Sequence, residues 1–241
     1  HENFNDPEWD GEPIAPEPSA GSANPTGNPT GGDDDPPSPG DNPPDQPPRE
    51  KVEVTLSDGT RRRIKYVAST TYWSPDGKPI SAVEFLKRLF GDLSGIVGDE
   101  DQLRKVWSDP DNREHFLGQL ADRGYDQDRL DDIRQLVDAP DSDLFDVLSY
   151  ILFTNCPKTR HDRANNVRGR QMDAFDEETK QLLLSILQAY ETDGESELAT
   201  KKLGQFLVAR YGSIGEGKEK LGGLAAVSDA FRKMQRRLYA N

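Results

Sequence analysis

A single cysteine, Cys156, excludes any disulfide within the chain. Beside Pro157, at the end of an apolar stretch, it reads as a small buried side chain rather than a nucleophile. Histidine is scarce too: His1, His115 and His161 are all there are. His115 follows Glu114, but no second histidine stands four residues on, so the zinc-protease pattern is missing. No run approaches the roughly 18–20 apolar residues of a membrane span. The acidic amino-terminal stretch lacks the apolar core of a signal peptide. These features fit the cytoplasm.

What the chain does have is unevenly placed. Residues 1–50 hold 13 of the 18 prolines and 12 of the 44 acidic residues, against one basic residue, Arg49. Their net charge is therefore −11, most of the −14 carried by the whole chain. Residues 51–241 are close to neutral, so the overall acidity does not argue against a nucleic-acid partner for them. Runs such as Pro13 to Pro18 and Asp33 to Gly40 offer almost no apolar side chain. Burial there cannot offset the roughly 1–2 kcal/mol of backbone entropy lost per ordered residue. Residues 1–50 read as a disordered, Pro-rich, self-repelling linker. At about 3.1 Å per residue where it is polyproline II, its reach is on the order of 100 Å or more. A linker at the front of a chain that starts at His1 is expected to follow something longer.

Residues 51–241 read as one mainly α domain with a small amino-terminal β-hairpin. Lys51 to Ser57 alternates, with Val52, Val54 and Leu56 on one face. Asp58-Gly59 then marks a tight turn into a second strand over Thr60 to Val67. Thr70 to Trp73 reads as a short third strand, and Ser74-Pro75-Asp76-Gly77 as a turn. Ser81 caps a helix with Glu84 three residues on, and Gly91 is expected to end it. From here the apolar period changes from 2 to about 3.6. Helices are expected near 99–107, 110–123, 127–138, 143–153, 159–172, 177–191, 196–210 and 224–239. Pro110 in a first turn and Gly124, Pro140 and Pro157 between helices support these limits. The 143–153 segment is apolar nearly all round and should be central, with residues 182–190 its expected partner.

The chemical motifs are weak. Gly212-Ser213-Ile214-Gly215-Glu216-Gly217-Lys218 matches seven positions of a phosphate-binding loop. The eighth is Glu219 where a Ser or Thr should hold Mg²⁺, and a helix rather than a strand is expected before it. The stretch reads as a glycine-rich connection. Glu216-x-Lys218 also resembles the end of a PD-(D/E)xK nuclease motif, with Asp76, Asp111 or Asp141 as openings. Those acids need adjacent strands around a metal, and this glutamate lies among helices.

Two other features remain open. Lys158 to Arg170 gathers Arg160, Arg163, Arg168 and Arg170 with His161, Asn165 and Asn166. Such a cluster suits DNA phosphates, or it is an ordinary helix whose arginines pair with carboxylates. Tyr72-Trp73, before a rigid turn, suits an interface anchor, or it packs on the next helix. Arg61 and Arg63 share a strand face and form a weak cationic patch.

Five blocks together resemble a known family. They are Asp58-Gly59 with Arg63 to Tyr66; Thr70 to Ser81 with Glu84-Phe85 and Leu89 to Leu93; Asp99 to Arg104 with Trp107 to Pro110; Asp141 to Leu148; and Tyr211 to Ile214 with Leu221 to Gly223 and Gln235 to Tyr239. As a set they resemble the C-terminal domain of the R (restriction) subunit of type I restriction–modification enzymes. The likeness weakens across 154–200. It implies a helical, non-catalytic domain that docks an ATP-driven DNA translocase and nuclease onto the methyltransferase (M) and specificity (S) subunits. It implies contact with DNA through the holoenzyme, a bacterial or archaeal cytoplasm, and no membrane. ATP and Mg²⁺ are implied for the upstream motor, and no cofactor for this stretch.

The leading expectation is an interaction module with Tyr72 and Trp73 as partner-binding candidates. The alternative is a DNA-binding helical module that uses Arg160, Arg163, Arg168 and Arg170. A helix–turn–helix around Gly124 is disfavoured, since Asp128, Asp131 and Asp132 on its second helix would repel phosphates.

Overall fold

The computed structural model describes residues 51–65, 72–74, 77–169 and 171–240. They belong to the second of the two units into which the chain divides, residues 46–241. The expected linker, residues 66–71, Pro75, Asp76 and Arg170 lie outside the described residues.

Strands β1 (Lys51–Thr55) and β2 (Arg61–Lys65) form the expected antiparallel hairpin, with Val52 opposite Ile64 and Val54 opposite Arg62. Gly59 takes φ +82°, and the Asp58 carboxylate accepts from the Thr60 N–H at 2.9 Å, which holds the turn. Val54, Leu56 and Ile64 are buried, while Arg61 and Arg63 face outward and both pair with Glu53. The expected cationic patch is thus partly neutralised on its own strand pair. Arg62 points inward with 1% of its surface exposed. It donates to the carbonyls of Ile151 (2.8 Å) and Leu152 (3.0 Å). A short second ladder joins β3 (Tyr72–Trp73) to β4 (Pro79–Ile80), pairing Tyr72 with Ile80 and Trp73 with Pro79. β4 was not expected. It forms because Ser74 N–H donates to the Lys78 carbonyl (2.8 Å) and Gly77 N–H to the Ser74 carbonyl (2.9 Å), which turns the chain back on β3.

Helix α1 (Ala82–Ser94) starts at the expected cap, where the Ser81 hydroxyl accepts from Glu84 N–H at 3.2 Å. It does not stop at Gly91. Phe85, Leu86, Leu89, Phe90 and Leu93 form one buried stripe. Burying Leu93 offsets the roughly 1 kcal/mol that a helical glycine costs. α2 (Glu100–Trp107), α3 (Pro110–Asp122) and α4 (Gln127–Leu136) follow, each capped by an aspartate: Asp99, Asp109 and Asp126. Gly124, at φ +91°, separates α3 from α4.

α5 (Leu144–Phe153) is central as expected, with even Asp146 and Ser149 buried. Its neighbours differ from the expectation. It packs against α1, α2 and α4. The 182–190 segment lies in α7 (Glu177–Asp193), which packs instead against α6 (Arg160–Arg168), α8 (Thr200–Tyr211) and α10 (Leu224–Leu238). Tyr190 of α7 reaches the start of α5, its hydroxyl donating to Asp143 at 2.7 Å. Tyr239 donates to the same carboxylate, also at 2.7 Å.

Three further limits shift. α6 ends at Arg168 rather than 172, because Gly169 leaves helical geometry with ψ −137°. The expected 196–210 helix begins as a separate 3₁₀ turn, Glu195–Leu198, before α8. The 214–220 stretch, expected as a connection, is helix α9 (Ile214–Lys220). Ser213 caps it, accepting from Glu216 N–H at 3.1 Å. Gly217 lets it lie close on α8: a Cβ there would sit 3.0 Å from Leu207 and 3.1 Å from Tyr211. Cys156 is exposed, not buried, because the chain leaves α5 at Thr154 in a left-handed turn (φ +65°).

Candidate functional site

The arginines of α6 share a short helix but not an open surface. Thr159 caps that helix, its hydroxyl accepting from Asp162 N–H at 3.1 Å. Arg163 faces the core, with 5% of its side chain exposed. Its guanidinium makes a two-pronged pair with Asp146, one prong Nη2 to Oδ1 at 2.8 Å, and donates to the Leu238 carbonyl at 2.9 Å. It also lies over the rings of Phe145 (4.8 Å) and Tyr239 (5.3 Å). Burial opposes the Arg163 charge, but Asp146 holds it protonated above the usual arginine range. Burial likewise pushes the Asp146 carboxyl up, against the pull of Arg163.

Arg168 makes a second two-pronged pair, with Glu191 of α7, and bonds Asn165 at 3.1 Å. His161 Nδ1 meets the same glutamate at 2.9 Å. Burial raises the Glu191 carboxyl, yet Arg168 and then His161 outweigh it, so it titrates below the ordinary glutamate value. Arg160 donates to the carbonyls of Ser142 (3.2 Å) and Glu191 (3.4 Å). The three described arginines therefore tie α6 to α5, α7 and the end of α10. Arg170 lies outside the described residues.

Tyr72 and Trp73 part company. Tyr72 is buried and stacks on Phe85 of α1 with ring centroids 4.5 Å apart. Phe85 in turn meets Tyr125, one residue before the cap of α4, at 5.8 Å. Trp73, the next residue, points the other way, as alternation along a strand requires. It is 53% exposed, more open than the other exposed large apolar side chains among the described residues, Val208, Ile214 and Leu224.

A cavity of about 430 Å³ lies among α3, α4, α6, α8 and the 195–198 turn. Its wall includes the buried pair Arg134–Glu195, whose partners are 61 residues apart and carry no local motif that links them. Burial pushes the Glu195 carboxyl up, and Asp143 adds to this against Arg134. Lys201, Lys202, Arg160 and Glu114 stand around it. Among the described residues no histidine lines it; its titratable wall is the Arg134–Glu195 pair with Glu114, Asp131, Asp193, Lys201 and Lys202.

The remaining motifs find structural places. The Gly212–Lys218 stretch is preceded by α8 rather than a strand. Glu216 lies in α9, and Asp111 accepts from Thr200 (2.9 Å) and Arg232 (2.5 Å). Among the described residues, no group of three or more His, Cys, Asp or Glu is placed to hold a metal ion. Among them also, no helix is long and apolar enough to cross a membrane.

Comparison with known proteins gives one match. No curated protein and no solved structure matches the chain. The model of a family described as EcoEI R protein C-terminal matches residues 83–239, from the first turn of α1 to just past the end of α10 and well over half of the chain. The two hairpins, with Trp73, precede the matched region. The chain therefore belongs to the family of C-terminal domains of type I restriction enzyme R subunits.

Proposed function

We propose that this domain docks its R subunit onto the methyltransferase and specificity subunits, and that it takes no chemical part in translocation or cleavage. One observation carries the reading most. The α6 arginines that suited DNA are engaged with Asp146, Glu191 and backbone carbonyls, whereas Trp73 is offered to solvent on a fixed hairpin. A buried, paired guanidinium is a poor phosphate ligand. An exposed tryptophan on a preorganised base suits a protein anchor.

The reading assigns ATP and Mg²⁺ to the upstream motor. It gives residues 1–50 the role of a tether, which keeps a moving motor at high local concentration beside the core. The DNA-contact alternative draws less support, because it needs Arg160, Arg163 and Arg168 free.

The test is size-exclusion chromatography of the 241-residue chain with the cognate methyltransferase–specificity complex, without ATP or DNA. Co-elution supports the dock. Separate elution of a chain that circular dichroism shows to be helical overturns it.

A further inference from the structure

The cavity of about 430 Å³ has a buried charge in its wall that the protein does not balance. Three of the charged residues that line it are buried: Arg113 of α3, Arg134 of α4 and Glu195 of the 3₁₀ turn. Arg134 and Glu195 neutralise each other. Arg113 has 3% of its surface exposed and, among the described residues, no carboxylate partner. Its Nη1 donates to the Trp107 carbonyl (2.9 Å) and to the Gln235 side-chain oxygen (3.0 Å), and its Nη2 donates to the Leu198 carbonyl (2.8 Å). All three acceptors are neutral. A guanidinium carries five N–H donors, so one at Nε and one at Nη2 are left over. A buried cation without a counter-charge is destabilising, and an anion brought beside it relieves that.

Other donors face the same space. Arg134 Nε is buried without a partner, and so is the second carboxylate oxygen of Glu195. Arg160, half-buried, is bonded only to the Ser142 and Glu191 carbonyls, through Nη1 and Nε, which leaves its Nη2 free. Arg113 also stands beside the start of α8, since the Leu198 carbonyl it holds is two residues before Thr200. No side chain caps α8, and its first turn has no acid but two lysines, Lys201 and Lys202. Its amino-terminal dipole adds to the positive charge of the arginines. At the mouth, Glu114 is held by Lys201 (3.4 Å) and Asp131 by Arg134, so Asp193 is the acid in the wall without a cation. Pro110 and Leu117 supply an apolar part of the wall. The volume is in the range of small-molecule sites. It admits a phosphate group, but not a duplex.

We propose that this cavity binds a small phosphate-bearing molecule, its phosphate held by Arg113 and the first turn of α8. Phosphate fits better than a carboxylate for two reasons. It offers more oxygens to donors that come from several elements. As hydrogen phosphate it also donates, and so answers the free Glu195 oxygen as well as the free Arg134 N–H. The site is separate from Trp73 and needs no partner protein, so it stands or falls independently of the docking reading.

The experiment titrates the 241-residue chain with inorganic phosphate and with phenyl phosphate by calorimetry, at an ionic strength held constant with sodium chloride. The wild type is expected to bind with a Kd of about 1 mM or tighter. Arg113→Gln should weaken binding about 10-fold or more, as loss of a charged hydrogen-bond donor does. Because Arg113 is buried, that variant is first checked by circular dichroism. Ser196→Trp is the second variant: it fills the cavity from an exposed position, leaves every guanidinium in place, and should abolish binding. Tighter binding of phenyl phosphate than of phosphate supports a phosphate ester as the ligand, and the reverse order supports the free ion. No binding of either probe up to about 20 mM overturns the proposal. Binding unchanged in folded Ser196→Trp overturns it too, because the phosphate then sits elsewhere. Displacement of the bound phosphate by a short DNA duplex overturns the choice of a small ligand.

Discussion

Replacing Arg163 separates the two roles its sequence neighbourhood allows. In the structure, Arg163 and Asp146 each have 5% of their side chains exposed and face each other across α6 and α5. Arg163→Ala leaves the Asp146 carboxylate buried without its counter-charge, which typically costs about 3–5 kcal/mol. It also strips a donor from the Leu238 carbonyl. A domain of this size has about 5–15 kcal/mol in total, so the variant should lose about a fifth of its stability or more. With a urea slope of about 2 kcal/mol/M, the midpoint should fall by about 1.5–2.5 M. The assay is urea unfolding followed by circular dichroism, with the slope compared between proteins. A second variant, Arg163→Met/Asp146→Leu, removes both charges and keeps the volume, and should recover most of the loss. If Arg163→Ala unfolds within about 0.3 M of wild type, the guanidinium is not engaged as described. Its candidacy for phosphate binding would then revive.

Further expectations come from other contacts. Arg62→Ala should cost about 2–4 kcal/mol, since it removes two charged hydrogen bonds to the end of α5. Hydrogen exchange should speed up in β2 and the last turn of α5, and Arg62→Lys should not restore both bonds. Two glycines should respond in opposite directions in thermal melts. Gly91→Ala, in a helix with nothing within 4 Å of the added carbon, should stabilise by about 0.5–1 kcal/mol. Gly217→Ala should destabilise by about 1–3 kcal/mol, because Leu207 and Tyr211 stand at 3.0 and 3.1 Å. The Arg168–Glu191 clip should show in the pH profile. Glu191 titrates below its ordinary 4.5, so its contribution is complete above that value and is lost as pH falls through the lowered one. The stability gap between wild type and Arg168→Ala should therefore narrow as pH drops from 5 toward 3, measured as urea midpoints.

Much of the fold is legible because local chemistry and tertiary packing agree. Asp58-Gly59 makes the hairpin, Ser81 with Glu84 starts α1, and the largely apolar 144–153 stretch is buried on nearly every side. The departures occur where packing overrides local preference. Gly91 reads as a stop, but the buried stripe runs on through Leu93. Residues 214–220 read as a loop because of their glycines, yet one of those glycines permits the close approach that makes α9 a helix. The site is less legible for a different reason. A stretch of arginines carries no sign of where its carboxylates are: Asp146 lies 17 residues before Arg163, and Glu191 lies 23 after Arg168. For Tyr72-Trp73, alternation shows that the two face apart, but only the stack on Phe85 shows which one is left outside.

The central claim is that this domain carries the attachment of the R subunit to its core. It is tested most directly by competition. The 241-residue chain is added in increasing excess to a reconstituted holoenzyme, and ATP-driven translocation and DNA methylation are measured together. The account predicts that translocation falls as the chain displaces the R subunit, while methylation is unchanged. Undiminished translocation at saturating excess of the folded chain would contradict it.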